Sequence, residues 1–206
     1  MTLKGKLSKF FMPVFLHIIF FLHLRIIWSL IIRWRLGENN KKRVPVYDFI
    51  APGNIEEAMK KFQYRKDPLD GMLDYVSHPE YIQAVLDDPS ISDGDCDDGH
   101  WFVANALKKC IGVSDVYYLS SGFSSKDKGI DGGHATCVYK FEGKWFHYDW
   151  GIKPIDDPNN APISIAKRYT GDEQAKATYW VWESVGEVGE DRSGWKLVGI
   201  NSKLRV

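Results

Sequence analysis

Two runs with strand character, residues 135–141 and 144–150, flank the dipeptide Glu142-Gly143, and this spacing constrains the fold more than any other feature of the chain. A two-residue connection joins antiparallel strands in a single register, because the turn closes on the residues that flank it. Phe141 then lies opposite Lys144 and Thr136 opposite Asp149, which makes His134 and Asp149 diagonal neighbours on one face of a sheet. Such neighbours stand ~7–8 Å apart at the backbone, within reach of long side chains. A slip of one residue would send the two to opposite faces.

A third chemical group stands upstream. In Gly94-Asp95-Cys96-Asp97-Asp98 a cysteine sits where a polar loop turns into an apolar-patterned helix running to Cys110. Free backbone N–H groups and the positive end of the helix dipole favour thiolate over thiol at such a position, and the thiolate is the nucleophile. At 100° per residue, Gly99, Val103, Ala106, Leu107 and Cys110 share the expected buried face, with Cys96 at its head. Gly99 is read as leaving room beside the sulfur. Asp95, Asp97 and Asp98 repel a thiolate, so their expected job is to cap the helix and complement its dipole. A calcium loop does not fit, because Gly99 falls one place late and Ala104 stands where a glutamate is needed. Cys96, His134 and Asp149 thus read as nucleophile, base and orienting carboxylate. His100 and His147 compete for the role of base. His134 is preferred because it opens its strand beside two glycines, where a ligand can approach.

Length and composition set the frame. With 206 residues, 44% of them hydrophobic, the chain can hold one domain and an extra segment. Lys plus Arg equal Asp plus Glu at 27 each, so no basic excess argues for a nucleic-acid partner. Three cysteines, Cys96, Cys110 and Cys137, form no disulfide framework and suit a reducing compartment, with Cys110 read as a small core residue. Cys96, His100 and His134 offer zinc-ligand types without the local pair spacing of a zinc site, so neither metal nor cofactor is expected.

Residues 10–34 carry only Arg25 and Arg33 as charges, apart from two histidines, and are expected to form an N-terminal membrane helix in contact with lipid. The length suffices to span a bilayer, whereas Arg25, Ser29 and Arg33 make a polar stripe that suits a helix lying in the headgroup plane; both forms stay open. No small-residue cleavage site follows, so the segment is expected to be retained. Basic residues after it outnumber those before it, which places the following domain on the cytoplasmic side. The expected division is residues 1–43, anchor and basic linker, and residues 44–206, the functional domain.

Within that domain Asn54 is expected to cap a helix ending at Lys61, and His78-Pro79 to start another reaching Leu86. Residues 73–76 read as a short apolar element and 87–94 as a turn-rich loop. After Gly112 come a strand at 116–119, a mobile Ser/Gly/Lys loop at 120–133, and the hairpin. A short helix at 165–169 and strands at 178–182 and 195–200, joined by a glycine-rich connection at 186–194, complete the sheet.

At three stretches, Gly94 to Asp98 opening a helix, Gly133-His134-Ala135 opening a strand and Trp145 to Asp149 in the next strand, with Asp74-Tyr75-Val76 before them, the sequence resembles the transglutaminase-like superfamily of papain-type thiol enzymes, in particular bacterial and phage cysteine peptidases. The resemblance covers roughly residues 70–151, in the order Cys, His, Asp. It implies an α+β fold in which the nucleophile helix packs on an antiparallel sheet. It also implies acyl transfer or hydrolysis at amide bonds of a protein or peptide through a thioester, with Cys96 attacking, His134 moving the proton and Asp149 holding His134. The Cys96 N–H would bind the oxyanion with a second donor that the sequence does not identify; Gln83 and Tyr81 lie upstream at unmatched spacings. A catalytically idle binding module at the membrane is the alternative, and a peptidoglycan amide hydrolase is another if the domain is periplasmic.

Overall fold

The structure, a computed structural model, describes residues 42–65, 76–88, 90, 94–185 and 196–204, all within one unit, Lys42–Val206. The expected membrane helix at 10–34, most of the element at 73–76 and the connection at 186–194 lie outside the described residues. Among the described residues no helix is long and apolar enough to cross a membrane.

The elements are α1 (Pro52–Met59), α2 (Pro79–Asp87), α3 (Cys96–Lys109), β1 (Val113–Ser125), β2 (Ile130–Phe141), β3 (Lys144–Tyr148), β4 (Ile152–Pro154), α4 (Ala161–Thr170), β5 (Lys176–Ser184) and β6 (Lys196–Ile200). The fold is α+β. Its six strands form one sheet in the order β4-β3-β2-β1-β5-β6, and each neighbouring pair is antiparallel.

The hairpin has the register read from its turn, with Phe141 opposite Lys144 and Cys137 opposite Tyr148. Glu142 and Gly143 both have positive φ, 49° and 78°, the mirror-image turn that matches the twist of the flanking strands. Glycine adopts that conformation freely, whereas a glutamate there is strained.

The stretch expected to be a mobile loop is instead regular. β1 continues to Ser125 and β2 starts at Ile130, with Ser121 opposite His134 and Ser125 opposite Ile130. Serines and glycines have little strand preference of their own, but β1 is the central strand, paired with β2 on one side and β5 on the other. Two flanking ladders and the burial of Phe123 override local composition.

Both faces of the sheet are covered. Ala135, Cys137, Tyr139, Tyr148 and Tyr118 point into a core shared with Phe102, Val103 and Leu107 of α3 and with Ile55 and Ile82 of α1 and α2. Leu119, Val138 and Trp182 point the other way, into a core with Ile165 and Ala166 of α4. Every residue of α3 from Asp98 to Leu107 is buried, so the one-faced pattern expected of this helix gives way to all-round burial beneath α1 and α2.

Helix ends follow the sequence with two shifts, at α1 and at α4, which runs Ala161–Thr170 rather than 165–169. His78 caps α2, its Nδ1 accepting from the Glu80 N–H at 3.3 Å, ahead of Pro79. α1 starts at Pro52 and ends at Met59, earlier than expected, because proline is preorganised for a first helical position; Asn54 caps from inside, its Oδ1 accepting from the Ala51 N–H at 3.1 Å.

Replacing Glu142 by asparagine, which tolerates left-handed backbone, is expected to stabilise the domain by ~0.5–1 kcal/mol. Urea denaturation should show a higher midpoint at unchanged slope; a lower midpoint would contradict this account of the turn.

Candidate active site

The site forms where β3 stops. β3 pairs with Cys137–Phe141 of β2 and no further, so the part of β2 that holds His134 and Ala135 has β1 on one side and, among the described residues, no strand on the other. The N-terminal end of α3 comes to that notch, where the Ala135 N–H, next in sequence to His134, faces the Cys96 sulfur and favours its charge.

Local chemistry holds α3 there. Asp95 caps the helix, its side chain accepting from the Asp97 N–H at 3.1 Å, while Asp98 Oδ2 accepts from the Asp95 N–H at 3.3 Å in a reciprocal capping box. Asp98 is fully buried and its other oxygen accepts from the Ser77 N–H, tying the chain before α2 to the start of α3. Gly94 is required by this arrangement, since a Cβ there would collide with the Asp98 carboxylate. The scaffolding role read for the acids is therefore the observed one.

The thiol is not poised as the sequence reading expected. Burial, with lesser contributions from the Asp95 and Asp97 charges, pushes Cys96 up to about 12, against the opposing help of the Ala135 and Cys96 N–H groups. Desolvation outweighs the helix end, so the resting group is a neutral thiol. Cys96 is nonetheless the one half-buried cysteine; Cys110 and Cys137 are buried, and Cys137 Sγ donates to the His100 carbonyl at 2.8 Å.

His134 and Asp149 are brought together. His134 Nε2 lies 2.9 Å from Asp149 Oδ1, and the two residues are 8% and 2% exposed, so the bond is shielded from water. By the two-residue alternation of β2, His134 is in phase with Val138, on the face covered by α4 rather than by α3. At the open edge its ring still comes within 5.3 Å, centroid to centroid, of His100 on α3. The dyad thus stands between the two helices.

Two residues that the sequence reading did not single out complete the network. Arg168 Nη1 donates to Asp149 Oδ2 at 2.6 Å and to the Asp149 carbonyl at 2.8 Å. The Tyr169 hydroxyl donates to Asp149 Oδ1 at 3.0 Å and lies 2.7 Å from His134 Nε2, with its ring 4.2 Å from the imidazole. Burial works to raise the Asp149 carboxyl, but the His134 hydrogen bond and electrostatic interactions with His134, His100 and Arg168 overcome it and hold the group well below the usual carboxylate range. Because Asp149 is ionised it can only accept, so Nε2 of His134 carries the proton and a neutral His134 has its lone pair at Nδ1. Lys167-Arg168-Tyr169 at a helix end reads locally as dipole complementation, and no signal in the sequence connects it to a carboxylate 19 residues away.

The rival histidines are both buried, His100 inside the site and His147 farther along β3. His100 is fully buried with Nδ1 2.6 Å from the Cys96 carbonyl, which makes it a donor there, and burial lowers it to about 3. His147, opposite Val138 in the register, is lowered by burial to about 4. Both are neutral at physiological pH. Gln83 accepts from the Tyr47 N–H and donates one of its two amide N–H groups to Asp87.

Trp150 sits between Asp149 and Gly151 with φ of 53°, a left-handed conformation costly for an aromatic residue. It is held by ring contacts with His100 at 4.6 Å and Phe62 at 5.5 Å. Gly99 makes room for this indole rather than for the sulfur: a Cβ there would lie 3.0 Å from Trp150 Cη2.

One atom each from His100, His134 and Asp149 lie within 4.8 Å of one another, a spacing that metal ions accept. Asp149 already accepts from His134, Tyr169 and Arg168, and the guanidinium charge opposes a second cation. The carboxylates of Asp95, Asp97 and Asp98, also grouped, accept from backbone N–H groups as helix-start ligands.

No family model matches the chain, and no curated protein matches it.

His100 and His147 fold with values below the 6.5 of a free imidazole, so the unfolded chain binds more protons between those limits. Their contribution to stability is fully present above about pH 6.5 and is lost as pH falls toward about 4 and about 3. Asp149, lowered in the fold, acts in a lower window, present above ~3.9 and lost as pH falls through its folded value. Tm is therefore expected to drop steadily on acidification below about pH 6.5, with His147→Gln flattening the slope; a Tm independent of pH down to about 4.5 would contradict the placement of both imidazoles.

Proposed function

We propose that residues 44–206 form a thiol acyl-transfer domain of papain-like, transglutaminase-like type, held at a membrane through residues 10–34, that acts on amide bonds of a protein or peptide. The observation that carries this reading is the buried His134–Asp149 bond beside the sheet edge where the Cys96 sulfur meets the Ala135 N–H. The order Cys, His, Asp along the chain and the resemblance of the flanking motifs support it.

The chemistry follows from the protonation states. Cys96 starts as a neutral thiol, so attack on a carbonyl carbon is coupled to transfer of the S–H proton to Nδ1 of His134. The imidazolium formed is stabilised by the Asp149 carboxylate through Nε2–H. The Cys96 N–H stabilises the tetrahedral oxyanion. Collapse breaks the C–N bond, the Nδ1 proton goes to the leaving amine, and the acyl group stays on sulfur as a thioester. Water then gives hydrolysis, and an amine gives transamidation, with His134 accepting the nucleophile's proton and returning it to the sulfur.

One observation favours a second reading, an idle binding module at the membrane: a thiol pushed up to about 12 is almost wholly protonated at neutral pH. A peptidyl vinyl sulfone separates the two. An acyl-transfer site is expected to label at Cys96, not at Cys110 or Cys137, with His134→Ala slowing the labelling by about 10²–10⁴-fold. Labelling no faster than that of an unfolded thiol, or unaffected by His134→Ala, would leave the binding module standing.

A further inference from the structure

The Asp149 carboxylate is held from behind by a single helix. Arg168 and Tyr169 are consecutive at the C-terminal end of α4, and each reaches a different oxygen of the same carboxylate, Arg168 at Oδ2 and Tyr169 at Oδ1. α4 is itself fixed on the sheet by the fully buried Ile165 and Ala166, so the two side chains start from a rigid support. The guanidinium also binds the Asp149 carbonyl, which pins main chain and side chain of one residue with one nitrogen.

We propose that Arg168 and Tyr169 are positioning residues: they clamp Asp149 as an ionised, immobile acceptor and through it hold His134 as the Nε2–H tautomer, with Nδ1 left as the base. The inference rests on the acyl-transfer reading above. Arg168 is the permanent cation of the site, since His100 stays neutral above about pH 3. The Tyr169 O–H is donated to Asp149, which turns a hydroxyl lone pair toward the His134 Nε2–H and gives that proton two acceptors, at 2.7 and 2.9 Å. An Nδ1–H tautomer would set a bare Nε2 lone pair against an ionised carboxylate. Of the other polar groups around His134, His100 spends Nδ1 on the Cys96 carbonyl, His147 lies farther along β3 opposite Val138, and the buried Ser121 hydroxyl stands on the residue opposite His134 without a hydrogen bond to it.

The test uses the full chain in three variants, Arg168→Met, Arg168→Lys and Tyr169→Phe. The first readout is the His134 tautomer from ¹⁵N-resolved imidazole spectra; the second is the rate of iodoacetamide alkylation at Cys96 at neutral pH. Arg168→Met and Tyr169→Phe are expected to mix in the Nδ1–H tautomer and slow alkylation by about tenfold each, the scale of one lost hydrogen bond to a charged group. Arg168→Lys, which keeps the cation, should restore the single tautomer and most of the rate. Tyr169→Phe keeps the ring stacked on Phe123 and Arg168→Lys keeps the cation, so near-UV circular dichroism should stay close to wild type in both, whereas Arg168→Met strips the buried carboxylate of its cation and lowers Tm. A pure Nε2–H tautomer in all three variants, or a lysine variant no better than methionine, would overturn the clamp. If Cys96 is inert in the wild-type chain the acyl-transfer reading fails, and the tautomer spectra still decide whether α4 holds the dyad.

Discussion

A buried carboxylate must be matched by partners, because leaving an ionised group unpaired in the interior costs several kcal/mol. Asp149 is 2% exposed and meets that demand from parts of the chain far apart in sequence: an imidazole on β2 and a guanidinium and a phenol on α4. The arrangement couples the sheet to the helix behind it, and it explains why the left-handed backbone of Trp150 is tolerated next door. The strain of one residue is offset by aromatic contacts on α3 and by the bonds that its neighbour makes. Loosening any one partner leaves the others facing an under-satisfied charge.

The sulfur poses the opposite problem. A helix start and two N–H groups favour its charge, whereas burial and two nearby aspartates oppose it, and burial is the largest of these effects. Asp95 is committed to the helix cap and Asp97 accepts from the Asp98 N–H in the first turn, so neither can be removed without loosening the element that delivers Cys96. The placement is thus a compromise between a firmly capped helix and an easily ionised thiol.

Much of the fold was legible because it rests on local signals. The Glu142-Gly143 turn set the hairpin register and Asp95 and His78-Pro79 marked two helix starts; the count along the hairpin also brought His134 to Asp149, although β3 ends at Tyr148, one residue before Asp149, rather than at Trp150. The extension of β1 and β2 through residues poor in strand preference was not legible, since it depends on β5 lying against β1 on the far side. The same holds for α3, whose one-sided apolar pattern gives no hint that α1 and α2 would bury its outer surface as well.

Residue types and spacing along the chain were enough to determine that a cysteine heads a helix and that a histidine and an aspartate share one face of a hairpin. Only the tertiary structure decided that this face is the one α4 covers, that Arg168 and Tyr169 stand behind the carboxylate, and that Cys96 meets the sheet at the edge left open where β3 ends. Periodicity and turns act over a few residues and leave their mark in sequence, whereas charge pairing and desolvation depend on which distant segments exclude water from the same place.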